Sequence, residues 1–139
     1  MQSQVSGSGG VIARFDAIDQ MVAAGQLKTV DARSIEEFCA GAELRVVFFA
    51  GLPKRSSEAQ DVAVALRELM REFAVPAAVV AEGDESALQS DYRVVVLPSL
   101  VLVVEGQVLE VVPGVRDWQD YRRAFERYLG QPIQIGATR

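Results

Sequence analysis

The stretch RVVVLPSLVLVVEGQVLEVVPG, from Arg93 to Gly114, decides the fold of this chain. After Pro98 it contains two apolar runs separated by the turn sequence EGQ, a pattern that predicts a β-hairpin. Proline cannot donate a hydrogen bond inside a sheet, so we assign Pro98 to the loop that enters the first strand. The hairpin is therefore introduced by a proline turn.

The segments before the hairpin alternate between strand and helix patterns. RVVFFA, from Arg45 to Ala50, is typical of a central strand, and AAVVA after Pro76 predicts another buried strand. Between them, apolar side chains at helical spacing predict a long amphipathic helix that Pro76 ends. These apolar positions are Ala59, Val62, Ala63, Leu66, Leu69, Met70 and Phe73.

Shorter elements complete the order. We expect a helix from Val11 to Gly25, a strand in LKTVD, and a short helix whose Ser34 and Glu37 have capping-box spacing. A last helix ends at Gly130 and carries an aromatic face that we assign to the core: Trp118, Tyr121, Phe125 and Tyr128. The order α-β-α-β-α-β-α-β-β-α predicts an α/β fold with a central mixed β-sheet flanked by helices.

Length and charge set the domain organisation and limit the partners. The 139 residues fit one domain, and we expect a flexible tail at 1–10, a single domain at 11–130 and a C-terminal tail at 131–139. The first ten residues lack the features of an export signal, and no apolar run is long enough for a membrane helix. We therefore expect a cytoplasmic protein without membrane insertion. The net charge of −5 argues against nucleic acid as a partner.

Two absences in the sequence limit its chemistry. There is no histidine, which excludes Ser-His and Cys-His nucleophile pairs and imidazole metal sites. There is one cysteine, Cys39, which excludes an intrachain disulfide and a C-x-x-C motif. We expect no catalytic residues, no metal and no cofactor.

From about Val11 to Leu129 the chain resembles the thioredoxin-like fold. The resemblance lies in VVFFAG, a loop, a long helix, and then LPSLVLVVEGQ, and it implies a cis peptide bond before Pro98. The loop GLPKRSSEAQD has no cysteine where redox members carry C-x-x-C, and Val47 stands where thioredoxins have a buried carboxylate. The resemblance thus implies a thioredoxin-like scaffold without thiol–disulfide exchange.

A narrower resemblance involves PKRSSEAQDVAVALRELMREF, from Pro53 to Phe73. It is similar to the pattern P-K-R-x-x-E-x-x-D with an E-L-x-R-E-F ending in the HyaE/HupG/HoxO family of hydrogenase expression proteins. The segment from Leu97 to Tyr121 also resembles that family. This implies a non-enzymatic chaperone for uptake nickel–iron hydrogenase. Its partners would be the small-subunit precursor, with its twin-arginine signal peptide, and other hydrogenase maturation proteins.

The candidate client-binding residues fall in two segments: Pro53, Lys54, Arg55, Glu58 and Asp61, and then Leu97, Pro98 and Ser99. The backbone at the proline turn would pair with an extended peptide, whereas the same turn also has a purely structural role. Glu58 and Asp61, at the start of the long helix, would meet the arginines of the signal peptide, or would only stabilise the helix start. Further acids would add to that field: Glu36, Glu43, Asp84, Glu85, Asp91, Glu105 and Glu110.

Two other functions stay open from the sequence. One is a thiol oxidoreductase or peroxidase that uses Cys39 alone, although a half-buried apolar role suits this residue better. The other is a generic thioredoxin-like interaction domain that serves a different complex.

Overall fold

The computed structural model describes residues 16–52 and 56–129. In chain order the elements are α1 (Ala17–Ala23), β1 (Lys28–Val30), α2 (Ile35–Cys39), β2 (Arg45–Phe49), α3 (Ser57–Phe73), β3 (Ala77–Val80), a 3-10 turn (Glu82–Asp84), α4 (Glu85–Leu88), β4 (Ser99–Val104), β5 (Gln107–Pro113) and α5 (Trp118–Leu129). The element order confirms the sequence prediction. The two predicted tails, and the predicted helical positions Val11 and Phe15, lie outside the described residues. Within the described part, no helix combines the length and the apolarity needed to cross a bilayer.

The five strands form one mixed sheet in the order β1-β3-β2-β4-β5. Strands β1, β3 and β2 are parallel, and β4 and β5 are antiparallel to their neighbours. Phe48 of the central strand lies beside Val79 on one side and Leu100 on the other. Because β2 is covered on both faces of the sheet, its apolar run is continuous rather than alternating.

The two faces of the sheet carry different layers. On the helical face, α1, α3 and α5 pack over Val46 and Phe48 of β2. On the loop face, α2, α4 and the loop that precedes β4 cover Val47 and Phe49. The helical face has the larger buried core because its helices are longer.

Helix α5 packs its aromatic side chains less completely than we predicted. Tyr121 and Phe125 are buried, and the Phe125 ring lies 5.5 Å from the Phe73 ring, centroid to centroid. Tyr128 is partly buried against the same core. Trp118 is 38% exposed, so its assignment to the core was wrong: it begins the helix at the end of the sheet, where the core no longer covers it.

The helix ends also differ from the sequence prediction in two places. Helix α3 ends at Phe73, where Ala74 adopts a left-handed conformation (φ 55°), and Pro76 follows before β3. The predicted capping box of α2 was wrong, since the Ser34 side chain makes no capping bond. Its hydroxyl instead accepts from the amide of Asp31 and donates to the Asp31 carboxylate.

Candidate functional site

The carboxyl end of β2 and the start of β4 meet at one end of the sheet. Gly51, directly after the strand, has φ 86°, and a Cβ there would lie 3.1 Å from Cβ of Leu97. Glycine is therefore required both by its conformation and by the close approach of the loop. The Gly51 amide donates to Oε2 of Glu85 at 2.9 Å. This buried bond joins the loop after β2 to the start of α4.

The predicted proline turn lies against this glycine. The Leu97–Pro98 peptide bond is cis. Pro98 is buried, and its carbonyl accepts from the amide of Gly114 at 2.8 Å. Ser99 is fully buried, and its hydroxyl donates to the carbonyl of Val96. Pro98 and Ser99 thus hold the loop in place, whereas Leu97 reaches solvent.

An exposed apolar surface surrounds the turn, and we call it the cis-proline surface. Its members are large apolar side chains that come from three loops and from the first residue of α5: Leu52, Val95, Val96, Leu97, Val115 and Trp118. Val95 is 87% exposed and Leu52 is 66% exposed. The Leu97 amide donates no hydrogen bond to a described residue, and its carbonyl accepts none from one. The surface therefore combines apolar side chains with backbone groups that can pair with an added strand.

The first turns of α3 border the same end. Ser56 caps the helix by accepting from the Ala59 amide at 3.1 Å. Glu58 and Asp61 are both exposed and form no ion pair with a described residue. Burial raises the pKa of Tyr121, and the nearby charge of Asp61 adds to that increase. Since the Tyr121 hydroxyl bonds to Gly114, Asp61 lies on the side of α3 that faces the end of β5.

Three of the predicted client-binding residues, Pro53, Lys54 and Arg55, lie outside the described residues. Their place in the chain is between Leu52 and the cap of α3. Sequence reasoning missed Val95 and Val96, although the unbroken run VVVL before a proline is the signal that would have found them. It also placed Glu85 among the surface acids, but this carboxylate is buried.

Cys39 lies at the other end of the sheet. Its carbonyl accepts from the amide of Gly106 in the β4–β5 turn at 2.8 Å, and the 6 residues of β4 separate that turn from Pro98 by about 20 Å. The side chain is 1% exposed and hydrogen-bonded to the Tyr92 hydroxyl, so it is fully rather than half buried. Burial raises the pKa of the Cys39 thiol, which keeps it protonated at neutral pH.

Solved structures similar to this chain include thioredoxins. The Fasciola hepatica thioredoxin superposes with a TM-score of 0.63 at 19% identity, over 73% of this chain and 99% of that one. A thioredoxin mutant from Halobacterium salinarum gives 0.62 at 19% identity, over 73% of this chain and 91% of that one. These likenesses show the fold, which is thioredoxin-like.

Sequence comparison identifies the family. The family model described as hydrogenase-1 expression protein HyaE matches residues 17–121. The hydrogenase expression/formation protein HupG of Bradyrhizobium diazoefficiens is 37% identical over 122 residues, which are 81% of this chain and 82% of that protein. HoxO of Cupriavidus necator, of the same description, is 36% identical over 119 residues, covering 83% and 74%. The chain therefore belongs to the HyaE family of hydrogenase expression proteins.

Proposed function

We propose that this protein is a non-enzymatic chaperone in the maturation of an uptake nickel–iron hydrogenase. It binds the small-subunit precursor in the cytoplasm, engages the twin-arginine signal peptide, and releases the precursor for export. Other hydrogenase maturation proteins are further partners in the same process. The family and the hydrogenase expression/formation relatives support the process, and the cis-proline surface supports the mode of binding.

The observation that carries this proposal is the unpaired backbone of Leu97 inside an exposed apolar surface. An extended peptide would form main-chain hydrogen bonds to the Leu97 amide and carbonyl, as an added strand does at a sheet edge. Its apolar side chains would cover Val95, Val96 and Trp118. Exposed apolar patches of this kind on a small domain commonly mark a binding site.

The residues that flank the surface would supply the polar contacts. Pro53, Lys54 and Arg55 stand between Leu52 and α3 in the sequence, and there client backbone and carboxylates would meet two cations. Glu58 and Asp61, exposed on the first turns of α3, would attract a basic client. We keep these five residues as part of the proposed client-binding site.

In this proposal the protein is not a catalyst, because its one thiol lies far from the proline turn. The segment from Gly51 to Asp61 contains no cysteine, so this part of the chain supplies no thiolate to the proline turn. The one thiol, Cys39, is buried at the opposite end of the sheet and its pKa is raised. A nucleophilic thiol needs exposure and a lowered pKa, and Cys39 has neither.

The test is calorimetric titration of the full chain with a small-subunit precursor, intact and with both signal-peptide arginines replaced by glutamine. We expect the replacement to weaken binding about tenfold, because charge-assisted hydrogen bonds are lost. Equal affinity for both precursors would remove the signal-peptide mechanism, and binding to neither would remove the function.

A matched pair of variants locates the site. Leu97→Asp places a charge in the cis-proline surface and should abolish detectable binding. Val64→Asp makes the same change on α3, at an exposed valine outside this surface, and should leave the affinity unchanged. If both variants bind normally, the client docks elsewhere.

A further inference from the structure

The one-turn helix α4 begins at a carboxylate that holds one side of the cis-proline surface. Glu85 is 3% exposed, and its Oε2 accepts from the Gly51 amide at 2.9 Å. Gly51 is itself buried, whereas the next residue, Leu52, is a member of the surface. The bond therefore lies at the point where the chain leaves the core and enters the surface. We call residues 51–52 the Leu52 arm.

The residue directly after α4 holds the other side of the surface. The Gln89 carbonyl accepts from the Val94 amide at 2.8 Å, and the three exposed residues that follow, 95–97, form what we call the Val95 arm. The Gln89 amide donates to the Glu85 carbonyl at 3.0 Å, which closes the single turn of α4. Both arms are thus attached to residues four apart in one helical turn, about 6 Å along its axis.

The two arms touch each other at Gly51 and Leu97. A Cβ on Gly51 would lie 3.1 Å from Cβ of Leu97, so the Leu97 side chain packs directly on the Gly51 backbone. A movement of that backbone would displace both Leu52, which follows it, and Leu97, which rests on it. The position of Gly51 therefore decides how the two arms are arranged.

A carboxylate is an expensive side chain to bury at the start of α4. Burial removes its charge from water, and an apolar side chain of similar volume usually destabilises the fold less. The carboxylate does provide a strong acceptor for one particular buried amide, that of Gly51. Its contribution is therefore conformational, because it selects one arrangement of the Leu52 arm.

The neighbouring acid makes the same kind of bond to a different loop. Oδ2 of Asp84 accepts from the Ala32 amide at 2.8 Å, in the loop between β1 and α2. Strands β1 and β2 flank β3, so the two consecutive acids tie the loops that follow its two neighbours. Ala32 is not a member of the cis-proline surface, and the Asp84 bond therefore serves as an internal control.

We propose that Glu85 is a positioning residue for docking at the cis-proline surface. Through α4, its carboxylate fixes the Leu52 arm relative to the Val95 arm before a partner peptide arrives. An arm that is fixed in advance does not have to be ordered on binding, which increases the affinity. This inference rests on the proposed function for its binding measurement, but its conformational part is measured on the free protein.

The conformational part is tested by amide hydrogen exchange, followed by nuclear magnetic resonance on the full chain. In the wild-type protein the Gly51 amide should be protected, because it donates to a buried acceptor. In Glu85→Leu, which keeps the volume of the side chain and removes the acceptor, this amide should exchange at least about tenfold faster. An unprotected Gly51 amide in the wild type would overturn the inference.

The docking part is tested by calorimetric titration of each variant with the intact small-subunit precursor. Glu85→Leu should bind about tenfold more weakly, since its Leu52 arm must be ordered on binding. Glu85→Gln keeps an oxygen acceptor and should stay within about threefold of the wild type. Asp84→Ala removes the bond to Ala32 and should leave the affinity unchanged.

A fourth variant covers the case in which Glu85→Leu does not fold. Glu85→Asp keeps the charge but is one carbon shorter, so its carboxylate should not reach the Gly51 amide. It should show faster exchange of that amide and weaker binding, in the same direction as Glu85→Leu.

The other results separate the two proposals. Normal binding by Glu85→Leu or Glu85→Asp would overturn the inference, and so would equal weakening in Asp84→Ala, which would indicate a general loss of stability. If Glu85→Gln binds as weakly as Glu85→Leu, the charge and not the acceptor is required, and the positioning mechanism is wrong. If the wild-type chain does not bind the precursor, the proposed function itself fails, and the exchange of the Gly51 amide alone decides whether Glu85 fixes the Leu52 arm.

Discussion

The two faces of the sheet differ in the size of their buried cores and in the pairing of their surface charges. The helical face holds the larger core under three helices, and Arg122 and Arg127 on its surface pair with neighbouring acids. The loop face holds a smaller core under short helices and a loop, and its exposed acids Glu36 and Asp91 form no ion pair with a described residue. Burial of apolar surface dominates folding free energy, whereas unpaired charge beside an apolar groove favours binding.

The comparison teaches that the larger part of the buried core lies on one side of the strand layer. Strand β2 contributes to both faces, with Phe48 on the helical side and Phe49 on the loop side. Substitutions in the helical core should therefore reduce stability without altering the docking groups. Substitutions at the loop-face surface should alter binding with little effect on stability.

A matched pair of leucines tests the separation. Leu66→Ala, in the middle of α3 at 0% exposure, should lower the free energy of unfolding by about 2–5 kcal/mol, because it leaves a cavity in the larger core. Leu88→Ala, at the end of α4 on the loop face, should cost about 2 kcal/mol or less since its site is open on one side. Urea unfolding followed by circular dichroism measures both. A larger loss for Leu88→Ala would reverse the assignment of stability to the helical face.

Two serines give a smaller contrast between the faces. Ser56→Ala removes the cap of α3 and should cost about 1 kcal/mol, since the Ala59 amide loses its acceptor. Ser34→Ala, before α2, should cost less than about 0.5 kcal/mol, because its exposed hydroxyl caps no helical amide. The same urea titration compares them. Equal losses would mean that the hydroxyl of Ser34 stabilises α2 in another way.

The serine contrast shows where sequence reasoning succeeded and where it could not. Spacing identified Ser34 as a cap, but Asp31 lies three residues earlier and accepts from the amides of Arg33 and Ser34. An aspartate turn of this kind competes with a capping box for the same groups. The local sequence is compatible with both the aspartate turn and the capping box, and the packing of α2 in the fold decides which one forms.

The sheet, the hairpin and the long helix could be predicted because each has a strong local pattern. The apolar run of β2 and the helical spacing along α3 specify their elements without any distant contact. The proline turn followed from the composition of one segment and the resemblance to a known fold. Trp118 could not be placed, because its exposure depends on where the core ends rather than on its spacing within α5.

The candidate site was only partly predictable for the same reason. Leu97 and Pro98 were predicted as client contacts from their own segment, residues 53–55 were assigned by their place in the sequence, and both assignments stay predictions. The burial of Glu85 depends on a hydrogen bond to Gly51, which is 34 residues earlier, and no local pattern indicates it.

The smallest effect at neutral pH concerns the buried pair on the loop face. Burial raises the pKa of Cys39 and of Tyr92, so the folded chain keeps both protons at a pH where the unfolded chain has released them. Stability should therefore be constant near pH 7 and should fall as the pH rises above about 8.5, first through the thiol and then, above about 10, through the phenol.

In the pH interval between these two values, the loop face should lose stability through its buried thiol. The helical face has buried Tyr121 instead, and a phenol ionises at higher pH than a thiol. Cys39→Ala should flatten the decline within that interval, and adding Tyr92→Phe should reduce the decline above it, as measured by urea midpoints from pH 7 to 11. If the wild-type chain and the double variant lose stability in parallel, the loop face makes no contribution to alkaline unfolding, and the two faces do not differ in this respect.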